Sequence, residues 1–232
     1  MEAMMNTAEF LEQLDARVAR YDLLCHPFYK AWSAGELTRD DLREYARDYY
    51  HHVEAFPGYL AQLAVRLEDG ELRRAVLANM CEENGAEDGR SHAELWLDFA
   101  EGMGAARAMD AHAPVQEISE LTGHFQRVAS EDSPEEALAA FYAYESQVPR
   151  VAKEKERGLR ALYGAEDKTC AYFTLHATAD IYHSNVWRKQ LEKRVTANPE
   201  VAGPALDAAE NAAKMLWQAL DGIEARCMAA AA

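Results

Sequence analysis

The chain has 232 residues, room for one sizeable hydrophobic core without requiring a second domain. Its 40 Asp and Glu against 24 Lys and Arg leave a net charge of −16, which repels phosphate backbones and anionic head groups and argues against nucleic acid or a membrane surface as partner. No apolar run approaches a bilayer span and MEAMMNTAEF lacks the basic and apolar parts of a secretion signal, so a cytoplasmic location is expected.

Helix signals recur along the whole chain and strand signals do not. Asn6 with Glu9 opens the first helix, whose apolar positions Phe10, Leu11, Leu14 and Val18 keep a spacing of three and four. Thr38 with Asp41 and Ser133 with Glu136 repeat the pairing of a cap with an acid three residues on, and Pro134 and Pro199 stand where a first-turn proline is tolerated. Helices are predicted over 7–20, 27–34, 39–69, 71–84, 91–102, 114–130, 134–162, 167–195 and 199–229, one all-α domain spanning 1–232. Pro57 and Pro149 fall inside two of these patterns, and each is expected to bend its helix. The breaks belong to the glycine-bearing stretches EENGAEDGRS and EGMGAARAMDAHAP. Cys25, Cys81, Cys170 and Cys227 are scattered without a CxxC pair, so reduced thiols that pack are expected.

The chemistry concentrates in FTLHATADIYHSN. On a helix advancing about 100° per residue, His176, Asp180 and His183 fall within roughly 60° of one another and can meet one point. Spacing alone leaves this equally a polar stripe and a metal half-site for iron, manganese or zinc. Glu145 sits among Phe141, Tyr142 and Tyr144, where a carboxylate needs a counter-charge from Arg150 or a metal. Glu82, Glu83 and His92 in CEENGAEDGRSHAELW offer a third cluster, although Gly85 and Gly89 break the register between them. Carboxylate and imidazole from three helical segments follow the logic of di-metal sites in bundles, without the ferritin-type Glu-x-x-His repeat. Tyr29, Tyr45, Tyr49, Tyr50 and Tyr144 are expected to line the interior. His51 and His52 face different ways, His26, His112 and His124 are expected near the surface, and Lys153 and Lys155 read most simply as a solvated charged face.

Four blocks in order, HPFYKAWSAGELTRDDLREYARDYYHHVEAFPGYL, then EENG with a following His and LW, then YESQVPRVAKEK, then YFTLHATADIYH, resemble the chlamydial protein associating with death domains and its bacterial homologues. The resemblance implies a haem-oxygenase-like (TenA/PqqC-like) helical bundle of the di-metal oxidase branch, holding two non-haem metal ions, Fe/Fe or Fe/Mn, and using O2 and an external reductant. It implies p-aminobenzoate synthesis for folate at the expense of the protein's own side chains. Position by position, the implied ligands are Glu82, His92, Glu145, His176, Asp180 and His183. Tyr29 would give the ring and Lys155 the amine, with Tyr45 and Tyr144 relaying or modulating the oxidation. An insertion around AEDGRS leaves the first ligand open between Glu82 and Glu83, the EENG alignment favouring Glu82, and Lys153 competes with Lys155 for the amine role.

Three rival readings stand beside this one. A thiaminase-like hydrolase on the same fold would need Cys170 or Cys81 as nucleophile, a protein-interaction module would need only a helical surface, and a haem protein would need an axial ligand. Assembly into a homodimer is compatible with all of them.

Overall fold

The computed structural model describes residues 5–86, 89–109 and 111–231, so Glu87 and Asp88 of the first glycine-bearing stretch and Asp110 of the second lie outside it. The helices are α1 (Thr7–Ala19), α2 (Pro27–Ala34), α3 (Arg39–Arg66), α4 (Glu71–Glu83), α5 (His92–Gly102), α6 (Gln116–Ser130), α7 (Pro134–Glu145), α8 (Val148–Leu162), α9 (Asp167–Ala197) and α10 (Ala202–Ala231). Short 3₁₀ turns at Leu23–Cys25 and Pro199–Val201 precede α2 and α10. No strand occurs among the described residues.

Local chemistry sets the starts. Asn6, Thr38 and Ser133 each accept the backbone N–H three residues on, and Glu9, Asp41 and Glu136 each return a carboxylate to the cap's own N–H. Ser91 with Glu94 makes a fourth such box, and α5 therefore begins at His92.

The expected helix 134–162 is two helices. The chain breaks at Ser146 and Gln147, whose side-chain Nε2 donates to the Ala143 carbonyl and whose Oε1 accepts the Leu23 N–H. Pro149 then stands in the first turn of α8, where its missing N–H has no helical partner to lose. α3 runs through Pro57 without interruption.

The core is one contiguous cluster drawing on every helix. α9 lies against α5, α7 and α8, while α3 lies against α4, α5 and α6, and α10 covers α6 and α7. α4, α5, α7 and α9 thereby surround one polar interior, and α2, α3 and α8 surround an aromatic one beside it.

Candidate metal centre and aromatic cavity

Two trios of potential ligands are buried at the core, Glu83 with His92 and His176, and Glu145 with Asp180 and His183, the ligand atoms of each lying within 4.8 Å of one another. α9 supplies three of the six from successive turns. Asp180 joins the trios, its Oδ2 3.0 Å from His176 Nδ1 and its Oδ1 3.3 Å from His183 Nδ1.

Glu83 and His92 reach their places through a tight turn. Gly85 has φ of +77°, and a Cβ on it would collide with the Arg90 carbonyl. Arg90 is in turn held by Asp98 at 2.7 Å, a buried carboxylate that also accepts from Arg107 at 2.8 Å. Glu83 Oε2 then stands 2.8 Å from His92 Nδ1. Glu82, favoured by the alignment, meets the other trio: its side chain is 30% exposed and its Oε2 lies 2.7 Å from His183 Nε2.

Glu145 is held by Asn79 Nδ2 at 2.9 Å and by Trp187 Nε1, with His183 Nδ1 3.5 Å away. Arg150, considered above as its counter-charge, points outward and pairs with Asp22. Burial raises the Glu145 carboxyl above its ordinary range, and His183 and Asn79 work against that rise. Burial alone would lower His183, but Asp180 and Glu145 outweigh it and carry the group to about 11. Burial likewise opposes ionisation of Asp180, yet His176 and His183 bring it down to about 2.

The donor set suits a metal. His176 Nε2 is buried without a hydrogen-bond partner, an arrangement that costs free energy unless something else engages it, and His92 Nδ1 faces Glu83 Oε2 at 2.8 Å without hydrogen-bond geometry. Imidazole and carboxylate together fit iron, manganese or zinc. A third grouping, His26 with Asp221 and Glu224, is structural: His26 Nδ1 accepts the Phe28 N–H and Nε2 faces Asp221 Oδ1 at 3.0 Å, which leaves no free nitrogen for an ion. His26 is thus buried as the cap of α2, not at the surface. His112 is also drawn inward, 2.8 Å from the buried Asp48.

Beside the trios lies a narrow cavity of about 20 Å³, lined by Tyr29, Tyr49, Trp96, Tyr144, Lys155 and Tyr172 among others. Lys155 is only 6% exposed, whereas Lys153 is exposed, so the solvated face expected of both holds for Lys153 alone. The Lys155 amine sits 4.3 Å from the Tyr29 ring centre and 4.6 Å from that of Tyr45, and it donates to Tyr45 Oη. Tyr29 Oη and Tyr45 Oη are 3.0 Å apart. Burial with no carboxylate nearby pushes the Lys155 amine well below its ordinary pKa, and burial raises both phenols.

Tyr172, which the sequence reading did not single out, connects cavity and trios. Its ring lies 4.1 Å from that of His176, which itself sits 4.6 Å from His92. Its spacing of four before His176 on one helix was the available signal. Cys170, the nucleophile a hydrolase would need, is buried with its thiol pKa raised, the reverse of an activated thiolate, and Cys25 and Cys81 are exposed.

Fold and site together define a haem-oxygenase-like helical bundle whose buried carboxylates and imidazoles fit a metal centre. A solved structure from Shewanella denitrificans, described as a domain of unknown function with a heme oxygenase-like fold, superimposes with a TM-score of 0.79 at 15% identity, covering 97% of this chain and 94% of that one. The family model described as iron-containing redox enzyme matches residues 43–217, and the chain belongs to that family. It is 38% identical over 224 residues to a Chlamydia trachomatis serovar D protein named 4-aminobenzoate synthase, covering 95% of this chain and 93% of that protein. A Nitrosomonas europaea protein of the same name is 36% identical over 230 residues, covering 94% and 92%.

Proposed function

We propose that this protein is an O2-activating di-metal oxidase that makes 4-aminobenzoate, a folate precursor, from its own side chains, Tyr29 giving the ring and Lys155 the amine. Five ligands are those implied by the resemblance, His92, Glu145, His176, Asp180 and His183; the sixth is Glu82, whose Oε2 lies 2.7 Å from His183 Nε2, or its neighbour Glu83, whose Oε2 lies 2.8 Å from His92 Nδ1. The ions are Fe/Fe or Fe/Mn, fed by an external reductant. When bound, such a pair supplies the one-electron oxidising power that a buried phenol needs.

The chain's own residues do the rest. Apolar walls keep bulk water from the Tyr29 ring. The hydroxyls of Tyr29 and Tyr45 share a hydrogen bond at 3.0 Å, along which the phenolic proton of Tyr29 can shift as the ring is oxidised, and the Lys155 amine donates to Tyr45 Oη and so keeps its lone pair free. Burial disfavours the charge on Lys155, and its amine lies within reach of the ring it must aminate. Tyr144 and Tyr172 stand between this pair and the ligands and can hand on an electron. The observation that carries the reading is the Lys155 amine 4.3 Å from the Tyr29 ring in the cavity that adjoins His176 through Tyr172.

The test is aerobic turnover with iron, manganese and reductant, using protein labelled in its tyrosines. Labelled 4-aminobenzoate with matching modification of Tyr29 and Lys155 peptides is expected. Product formed while both residues stay intact would sink the self-sacrifice. Sedimentation of the metal-loaded chain tests for a homodimer.

A further inference from the structure

Glu145 is the one proposed ligand that α7 contributes, and it stands at the last residue of that helix. Its two carboxylate oxygens are each engaged by a neutral donor from a different helix. Asn79 Nδ2, on α4, donates to Oε1 at 2.9 Å, and Trp187 Nε1, on α9, donates to Oε2. Both side chains are buried, Trp187 completely. Trp187 lies one turn beyond His183 on α9, and its ring packs against that of Phe141, one turn before Glu145 on α7, with 6.2 Å between centroids. The indole is therefore held between the two helices that bring Glu145 and His183 together. An indole N–H can only donate, so Trp187 has no lone pair with which to share an ion. Each oxygen of a carboxylate carries two lone pairs. With one on each taken by a donor, Glu145 keeps one on each for the side where His183 Nδ1, 3.5 Å from Oε1, and Asp180 stand.

We propose that Trp187, assisted by Asn79, is a positioning residue that clamps the Glu145 carboxylate in one orientation and presents it to the ion shared with Asp180 and His183. This rests on reading those three residues as metal ligands. The clamp distinguishes two carboxylates of the interior: Glu145 meets two neutral donors, whereas Glu83 faces the imidazole of His92 at 2.8 Å. A carboxylate free to turn can move between binding one ion and bridging to the next, and one fixed at both oxygens holds its place. Partners that orient a ligating group in this way are worth about 10- to 100-fold in metal affinity.

The discriminating experiment is an anaerobic iron(II) titration against a competing chelator on wild type, Trp187→Phe, Asn79→Ala and Glu145→Ala, with circular dichroism confirming the fold of each. Glu145→Ala is expected to lose an ion outright. Trp187→Phe keeps an aromatic ring in place of the indole and removes the N–H, and it is expected to bind two ions, one of them about 10- to 100-fold more weakly and the other as in wild type. Asn79→Ala is expected to weaken the same ion. As a second readout, the indole N–H resonance of Trp187 in nitrogen-15 spectra, assigned by its absence from Trp187→Phe, should move when wild type is loaded with zinc. Wild-type affinities in Trp187→Phe, equal weakening of both ions, or an indole resonance that zinc leaves in place would each overturn the clamp while sparing Glu145 as a ligand. A Glu145→Ala chain with both wild-type affinities, or a wild type that binds no iron, would overturn the metal reading and this inference with it.

Discussion

The polar interior and the aromatic cavity solve burial in opposite ways. Around Asp180, every buried carboxylate faces an imidazole or an amide donor, so charge is matched by charge and His176 Nε2 is left over. Around Lys155, an amine is buried against six aromatic rings with a phenol as its hydrogen-bond partner, and no carboxylate is near. The first region offers a donor set that suits a cation, and the second buries an amine where its charge is disfavoured. Neither is what stability alone would select.

Removing Asp180 should break the comparison most completely. Asp180→Ala leaves His176 and His183 without their shared acceptor and should cost about 3–5 kcal/mol in urea denaturation of the metal-free chain, with iron content below two ions and product at background. An intact di-metal complement in this variant would show that the histidines alone suffice.

The Lys155 side should respond in the reverse sense. Lys155→Met removes the buried amine's desolvation cost and should gain about 1–2 kcal/mol of stability while abolishing product and leaving metal content unchanged. Lys153→Met, at an exposed position, should change neither product nor metal. Product from the Lys155 variant at wild-type yield would assign the amine elsewhere.

Acidity should separate the regions too. The raised His183 pKa stabilises the metal-free chain fully below its ordinary 6.5, and that contribution is lost as pH rises through about 11. Asp180 acts oppositely, its contribution present above 3.8 and lost as pH falls through about 2. Metal must displace the His183 proton, so the rise in melting temperature on adding iron should grow between pH 6.5 and 9. A pH-independent rise would place the ion away from His183.

Smaller effects should map onto the approach to Glu83 and His92. Gly85→Ala should cost upwards of about 1 kcal/mol, from its positive φ and the collision with Arg90, and weaken the Glu83 half-site more than the Glu145 half-site in iron titration. Ser91→Ala removes the cap of the helix that begins at His92 and should cost about 1 kcal/mol by thermal melting. Equal weakening of both half-sites in Gly85→Ala would mean that the turn acts through global stability.

Much of this was legible in the sequence because it is local. Capping pairs three residues apart and apolar residues at three and four depend on backbone geometry within one turn, and the pairs locate the starts of α1, α3 and α7. The convergence of His176, Asp180 and His183 is local in the same sense, since one continuous helix sets their angles. What spacing could not decide is whatever depends on another element or on a non-helical turn. The choice between Glu82 and Glu83 hangs on the positive φ of Gly85 and on how α4 faces α9. The contrast between Lys153 and Lys155 hangs on which side of α8 is covered by Tyr29 and Tyr45, residues 110 or more positions away. The break at Ser146 and Gln147 needs the Leu23 N–H as partner, and His26 is buried because Asp221 and Phe28 meet its two nitrogens. Helical period is a property of the chain; burial and partnership are properties of the packed fold, and in this protein they select which of several plausible side chains meet at the site.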